Sequence, residues 1–250
     1  MPDGGAVSVR TRQEPDRILL QISGTLDSST YRHVRDSVIK AALEEPDVVM
    51  VDVSDLSAPS TSAWTVFASA RWHVSTWPDV PIVLICRDAD RRASIARSTI
   101  GRYVPVYEAL PPGPEIAVAR DGLRRRARAD LPPDFASLRA ARCLIAEWLT
   151  TWDRREMILT ASTVATILVE NVLEHTSSDP SLIVETKGDT VTVAVSDRNH
   201  LAAVRREDPT AGAHTVSGLA IVAALSRTWG STPKADGKTV WALLGPENHL

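Results

Sequence analysis

The sequence predicts two domains, an α/β domain followed by an α+β domain. Roughly the first hundred residues alternate apolar runs with amphipathic segments in the order β-β-α-β-α-β-α-β. A proline-rich break, Leu110-Pro111-Pro112-Gly113-Pro114, comes next. The rest of the chain has two long helical segments before its short strands. Each half is long enough to bury a core of its own.

Composition indicates an ordinary globular protein. Of 250 residues, 44% are hydrophobic and 24% are charged, and the net charge of −3 gives no electrostatic argument for binding nucleic acid or an acidic membrane surface. The N-terminus lacks an apolar signal core, and no apolar run approaches the ~20 residues that span a bilayer, so we expect a cytoplasmic protein. Cys86 and Cys143 stand singly in apolar runs, which predicts reduced core thiols.

Apolar periodicity places the elements of the first half. Residues 6–12 and 17–23 predict two strands around an acidic turn. Asp27 or Ser28 is expected to cap a first helix that begins soon afterwards. The apolar stripe of that helix is Val34, Val38, Ala41 and Ala42. Further strands are predicted at 48–53, 80–86 and 104–107, the last at an edge because it contains Pro105, and further helices after Ser60-Thr61-Ser62 and at about 90–99.

The second half has a different order of elements. The predicted helices are 135–152, 157–174 and 218–225, and the predicted strands are 181–185, 190–195 and 239–244, with a hairpin turn at Lys187-Gly188-Asp189. Residues 198–217 have no periodicity, which suits a loop over a pocket. An arginine cluster beside the proline-rich break has two interpretations, a docking patch for an acidic partner or phosphate and a solvated helix face. Its members are Arg120, Arg124, Arg125, Arg126 and Arg128.

The tryptophans are predicted to be structural. Trp148, Trp229 and Trp241 lie in periodic apolar contexts, which indicates core packing. Trp64, directly after the Ser60-Thr61-Ser62 segment, has two interpretations. It is either a core residue or an exposed aromatic that anchors a partner.

Three short segments of the first half form one pattern. They are Gly24-Thr25-Leu26-Asp27, Val51-Asp52-Val53-Ser54-Asp55-Leu56-Ser57, and Thr61-Ser62 at the start of a helix. Over about residues 6–110 the pattern resembles a STAS domain of the anti-sigma-factor-antagonist type. The resemblance implies a mixed sheet with helices and a phosphoacceptor serine opening the second helix. The candidates are Ser62 and its neighbour Thr61; the alternative is that Ser60, Thr61 or Ser62 only caps the helix.

An asparagine late in an apolar helix distinguishes the second half. Asn171, in Leu168-Val169-Glu170-Asn171-Val172-Leu173-Glu174-His175, is costly to bury unless it binds something. It is followed by a strand ending at Asp197, by Ser217-Gly218-Leu219 and by Gly237-Lys238-Thr239. This order resembles the Bergerat-fold (GHKL) ATPase-like domains of anti-sigma factors and their serine kinases over about residues 128–245. The resemblance implies a C-terminal Bergerat-type α/β sandwich that holds ATP or ADP with Mg²⁺.

The resemblance also implies residue roles. Asn171 would ligate the Mg²⁺, Asp197 would accept from the adenine amino group, and Thr239 would support that Asp. Gly218 and Leu219 stand in a glycine box whose first glycine is replaced by Val216.

The catalytic residue of the family is missing from its expected place. The Glu expected four residues before Asn171 is Ile167, which accepts no proton. Three neighbours, Glu170, Glu174 and His175, are poor substitutes because they lie on another side of the helix or at another depth. We therefore assign no catalytic residue, and we leave enzyme activity open while leaning against it.

The sequence thus predicts a STAS domain at 1–110, a proline- and arginine-rich linker at 111–127 and a Bergerat-type domain at 128–250. The expected function is control of transcription in a sigma-factor partner-switching system, through antagonist-like and anti-sigma-factor-like modules. The alternative is an ATP-dependent serine/threonine kinase that acts on STAS-domain proteins. Expected partners are a sigma factor or anti-sigma and antagonist proteins, without nucleic acid or membrane, and the chain admits a homodimer.

Overall fold

Two compact units make up the chain, and they divide between Arg120 and Asp121. The computed structural model describes residues 6–109, 124–200 and 218–248. A six-stranded mixed sheet with helices forms the first unit, and a five-stranded sheet forms the second, so the predicted α/β and α+β classes are confirmed. The proline-rich break lies outside the described residues. Of the expected linker only 124–127 is described, and its last three residues already belong to a strand.

The first unit has the predicted order of elements with one short strand, at Leu56–Ser57, in addition. They are β1 (Ser8–Gln13), β2 (Arg17–Thr25), α1 (Tyr31–Leu43), β3 (Val48–Asp52), β4 (Leu56–Ser57), α2 (Thr65–His73), β5 (Ile82–Ile85), α3 (Ala89–Arg97) and β6 (Val106–Tyr107). The sheet order is β1-β2-β3-β5-β6, and the short β4 pairs with β2. Only β1 is antiparallel to its neighbour. β6 forms the edge, directly after Pro105, as predicted.

Both faces of the central strand β3 are buried. Val49 and Val51 join the main core, where they meet Val34 and Val38 of α1. Met50, between them, points to the opposite face and belongs to a second, smaller apolar cluster. Because a strand covered on both faces needs apolar residues at every position, β3 is a continuous apolar run rather than an alternating one.

The cap predicted for the first helix was wrong. Asp27 Oδ1 accepts hydrogen bonds from the backbone N–H groups of Ser29 (2.8 Å) and Thr30 (3.2 Å), which folds a turn before the helix. Hydrogen bonds, first of all from the Ser29 hydroxyl, hold the pKa of Asp27 below its usual value. The helix itself begins at Tyr31, with Thr30 as the N-cap residue.

Trp64 is not an exposed anchor. Its side chain is only 5% exposed, and its ring stacks on Phe67 with the ring centroids 6.1 Å apart. Trp72, at the other end of α2, is 64% exposed, so the expectation that every tryptophan is structural was also wrong. The Trp72 ring meets the half-exposed Tyr103 edge-on at 5.7 Å.

The second unit is an antiparallel sheet with helices packed on one face. Its elements are β7 (Arg125–Asp130), α4 (Ala136–Thr151), α5 (Ile158–His175), β8 (Ser181–Lys187), β9 (Thr190–Asp197), α6 (Gly218–Leu225), β10 (Thr228–Lys234) and β11 (Gly237–Leu244). The sheet order is β10-β11-β9-β8-β7. The predicted hairpin between β8 and β9 is present, and its Gly188 has a φ of +59° that few other residues adopt.

Helix α5 is the central helix of this unit. With the turn before it, it spans Arg155–His175 with a mean hydropathy of 1.4, long and apolar enough to cross a membrane by length and composition; no other helix in the described residues is. Half of that window is buried inside the unit. Buried residues such as Val164, Leu168 and Val172 pack against the sheet and its other helices. Core packing therefore accounts for the apolar composition of α5.

The described arginines of the cluster do not lie on a helix face. They lie in β7 or directly before it, and three of them have clear partners within the unit. Arg124 makes two 2.7 Å hydrogen bonds to the carboxylate of Glu185. Arg125 donates to the carbonyl of Thr151 at the end of α4 (3.3 Å), and Arg128 Nε donates to the Ser181 hydroxyl (2.9 Å). Arg120 lies outside the described residues.

The two cysteines differ from each other. Cys86 is buried, as predicted, and burial raises the pKa of its thiol above the usual value. Cys143 is exposed on α4, so the expectation of a core thiol was wrong at that position.

Arg124→Met is expected to lower the free energy of unfolding by about 3–5 kcal/mol, because Glu185 would remain buried without its counter-charge. The two side chains are 12% and 5% exposed. The matched control is Arg227→Met, since Arg227 makes the same two-bond pair with Glu247 (2.7 and 2.8 Å) at the surface. That variant should be nearly as stable as the wild type. Urea unfolding measures both, and an equal loss in the two variants would contradict the prediction.

Candidate functional site

The predicted phosphoacceptor lies in a well-anchored turn. Ser62 belongs to the 3₁₀ turn Thr61–Trp64 that opens α2. The chain leading into it is held by β4, which pairs with the end of β2. It is also held by Arg91 of α3, whose Nη1 donates to the carbonyl oxygens of Ser54 (3.0 Å) and Leu56 (2.9 Å). These contacts fix the position at which the turn leaves the sheet.

Ser60 and Ser62 divide two roles between them. Ser60 is the N-cap: its hydroxyl accepts from the Ser62 N–H at 3.3 Å, so the capping interpretation is confirmed for Ser60. The two hydroxyl oxygens lie 2.7 Å apart, within hydrogen-bonding distance. Ser60, Thr61 and Ser62 are all exposed. Capping by Ser60 therefore leaves the Ser62 hydroxyl accessible to another protein.

Gly218, Ile167 and Asn171, which the sequence analysis singled out, lie close together where α6 packs against α5. A Cβ atom placed on Gly218 would lie 2.8 Å from Ile167 Cγ2 and 3.9 Å from Asn171 Oδ1. The absence of a side chain at Gly218 is thus required by the close packing of α6 against Ile167. The next residue, Leu219, is buried in the core with 6% exposure. Val216 and Ser217 lie outside the described residues.

Asp197 is engaged by a lysine that sequence reasoning did not single out. Lys238 Nζ lies 2.8 Å from Asp197 Oδ2 and 3.0 Å from Oδ1, and it donates to the Asn199 carbonyl at 3.2 Å. The backbone N–H of Asn199 also donates to Asp197 Oδ1 at 2.7 Å. The side chains of Asp197 and Lys238 are 2% and 9% exposed. Both carboxylate oxygens therefore already have donors within the protein.

Thr239 does not face Asp197. Lys238 is directly opposite Asp197 on the neighbouring strand, and Thr239 is opposite Ser196. Because consecutive side chains of a strand point to opposite faces, Thr239 lies on the other face of the sheet. There its hydroxyl is 2.7 Å from the Ser196 hydroxyl, and both residues are buried.

A cavity of about 530 Å³ lies beside this region. It is formed by the chain after α5 and the chain after β9. Its lining residues are Thr176, Ser177, Ser178, Asp179, Arg198, Asn199 and His200. The backbone N–H of Arg198 donates to the Ser178 hydroxyl (3.1 Å), which ties the two segments together. Glu174 and His175, the poor substitutes for a base, are exposed at the end of α5, whereas Glu170 is half-buried.

The described residues do not fit an adenine nucleotide. Asp197, the acceptor that would bind the adenine amino group, already accepts from Lys238 and from the Asn199 N–H, and its side chain is only 2% exposed. At the other end, Ile167 fills the space that Gly218 leaves. Asn171 would be the Mg²⁺ ligand of the resemblance. Within the described ranges no three carboxylate, histidine or cysteine side chains cluster as a metal site.

Comparison with known families bears on the first unit. Residues 8–111 match the family model of the STAS domain. The N-terminal unit is a STAS domain. The second unit lies outside this match, and no curated protein matches the chain.

Several solved structures are similar to parts of the chain. An anti-sigma factor antagonist from Mycobacterium paratuberculosis is 14% identical with a TM-score of 0.36, over 42% of this chain and 88% of its own. The RsbU and RsbW domains of a Mycobacterium tuberculosis protein are 20% identical with a TM-score of 0.38, over 50% of this chain and 33% of their own. Unphosphorylated SpoIIAA, an anti-sigma factor antagonist, is 12% identical with a TM-score of 0.33, over 40% and 88%. At these TM-scores the similarities carry no argument about function.

Gly218→Ala is expected to destabilise the second unit by about 1–3 kcal/mol, because the added methyl group would overlap Ile167 Cγ2. Ile167→Ala removes that carbon atom, so the same glycine substitution should cost little in an Ile167→Ala background. A double-mutant cycle of unfolding free energies measures this coupling. Additive effects of the two substitutions would contradict the packing explanation.

Proposed function

We propose that this protein is a cytoplasmic regulator of a sigma-factor partner-switching system, with Ser62 of its STAS domain as the phosphorylation switch. The observation that carries the proposal is the exposed Ser62 hydroxyl at the start of α2, on a turn that β4 and Arg91 hold in place. The STAS domain would bind a Bergerat-type partner. The second unit would bind a sigma factor or another antagonist. A homodimer is compatible with both interactions.

Phosphate on Ser62 would change the character of this surface. Exposed residues in and next to the turn include Pro59, Ser60, Thr61, Ser62 and Thr65, and these are uncharged. A phosphate adds roughly −2 charge and strong acceptor oxygens. After phosphorylation the Ser62 oxygen could no longer donate to the Ser60 hydroxyl, because it becomes an ester oxygen. A partner packed on the neutral surface would then face an unpaired charge that is costly to desolvate.

The exposed face of α2 offers a second contact for such a partner. Ser62, Thr65 and Ser69 follow one side of the helix towards Trp72. Trp72 takes the role that the sequence suggested for Trp64, because it exposes a large aromatic ring. Exposed aromatic side chains of this kind are common anchors of protein interfaces. The partner expected at this face is a protein of the anti-sigma factor or kinase class.

We assign the second unit to the Bergerat-type modules from its architecture and from the order of its motifs. An antiparallel sheet with α4, α5 and α6 on one face supports a Bergerat-type module. So does the position of Gly218 near Asn171, whose Oδ1 would lie 3.9 Å from a Cβ placed on the glycine. The net charge of −3 gives no reason to expect direct binding to nucleic acid.

Ser62→Asp is expected to weaken binding of the full-length protein to its Bergerat-type partner by about tenfold or more, equivalent to about 1.4 kcal/mol. Ser62→Ala should keep the affinity and should lose phosphorylation by that partner. Isothermal titration calorimetry and phosphopeptide mapping measure the two effects. Equal affinity of the two variants would contradict the switch.

The matched control is Ser60→Ala. It removes the cap and leaves the proposed acceptor, so phosphate should still map to Ser62. The variant should lose about 0.5–2 kcal/mol of stability, as cap removal usually does. Phosphate found on Ser60 or Thr61 in the wild type would place the switch elsewhere.

A phosphate-transfer assay tests the kinase alternative. Removing a positioned base typically costs about 10²–10⁴-fold in rate, and Ile167 stands where the resemblance expects that base. We therefore expect no transfer of radiolabelled phosphate from ATP to a STAS substrate or to this protein's own Ser62. Robust transfer by the wild type that Asn171→Ala abolishes would favour the kinase. Glu174 would then be the first base to test.

A further inference from the structure

We propose that Lys238 is a built-in substitute for the adenine amino group, so that the second unit is closed to adenine nucleotides and acts without them. The inference rests on the Bergerat-type assignment of that unit. It does not depend on the Ser62 switch, and the two are tested by separate measurements.

The ammonium group of Lys238 satisfies the carboxylate more completely than adenine would. Its three N–H donors have three acceptors within 3.2 Å, the two oxygens of Asp197 and the carbonyl of Asn199. An adenine amino group is neutral and would offer Asp197 one hydrogen bond without a compensating charge. Displacing Lys238 would also leave a nearly buried ammonium without its counter-charge. The tethered lysine has the further advantage of losing no translational freedom when it binds.

Strand geometry makes the ion pair a fixed feature. Lys238 and Asp197 are directly opposite on β11 and β9, at the end of the row of core residues that includes Val195 and Val240. Gly237 allows the strands to approach at this point, because a Cβ on it would lie 1.9 Å from the Asp197 carbonyl oxygen. The pairing of the two strands therefore fixes the position of Lys238 next to the Asp197 carboxylate.

The second observation comes from the opposite end of the nucleotide site that the resemblance implies. Gly218 belongs to the glycine box of the resemblance, in which the first glycine, at which backbone would approach phosphate, is replaced by Val216. Ile167 Cγ2 lies 2.8 Å from the point that a Cβ atom on Gly218 would occupy. The protein's own side chains thus occupy both ends, a charged group at the adenine end and an apolar group at the phosphate end.

The experiment titrates ADP and ATP, with Mg²⁺, into the full-length protein by calorimetry and follows thermal unfolding. We expect no saturable heat and a melting-temperature shift below ~1 °C at about 1 mM nucleotide, where a ligand bound at about 10 µM would give several degrees. Saturable binding of ADP to the wild type that Asp197→Asn abolishes would overturn the proposal.

A pair of lysine variants tests the ion pair independently of nucleotide. Lys238→Met keeps an unbranched stem and removes the ammonium, and it should lower the melting temperature by on the order of 10 °C. Lys40→Met removes an ammonium from the exposed side of α1, and its melting temperature should stay within ~2 °C of the wild type. Equal melting temperatures of the two variants would also overturn the proposal, because Lys238 would then not be needed by Asp197.

Discussion

Antiparallel pairing of β9 with β11 places Lys238 opposite Asp197, and the chemistry that the second unit can present depends on that register. The same pairing carries Val195 and Val240 into the core beneath the helices. Because side chains alternate between faces, a shift of one residue would move the core residues of β11 to the other face and bring Thr239 to the carboxylate. Burial of the apolar residues therefore fixes the register that holds the ion pair, and a shift would also leave the buried Asp197 without its counter-charge.

The elements that the sequence predicted are those with a strong apolar signal. Strands such as β3 and β5 are buried, and α5 is a long apolar helix, so periodicity and turn residues located them within a few positions. β7 and β10 escaped prediction because they are the two outer strands of their sheet. An edge strand gains its stability from one partner and tolerates charged residues and proline, as the arginines of β7 and Pro233 of β10 illustrate. Nothing in a local window distinguishes such a strand from a linker.

The candidate site residues also differ in whether adjacent or distant residues determine their surroundings. The helix start at Ser60-Thr61-Ser62 was predictable because adjacent residues encode a capped turn, and Ser60 is the residue that caps it. Which residue of β11 contacts Asp197, Lys238 or Thr239, was not predictable from the sequence. Neighbouring residues of a strand point to opposite faces, and pairing with β9 decides which of them faces Asp197. The burial of Trp64 likewise depends on the distant residues of its core cluster. The family resemblance supplied the candidates, and their surroundings in the fold depend on long-range packing.

The two parts of the chain differ in what can change their state. The Ser62 hydroxyl is exposed, so another protein's active site can reach it, and a covalent phosphate would alter the charge of a neutral surface. The Asp197–Lys238 pair is almost fully buried and its donors and acceptors are matched, so a solute gains little by competing for it. On the proposed function, Ser62 receives a phosphoryl group, and Ile167 stands where the resemblance expects the base of a kinase. On the proposed function, a signal would therefore enter through Ser62, and the nucleotide content of the cell would act on this protein only through the kinase that modifies it.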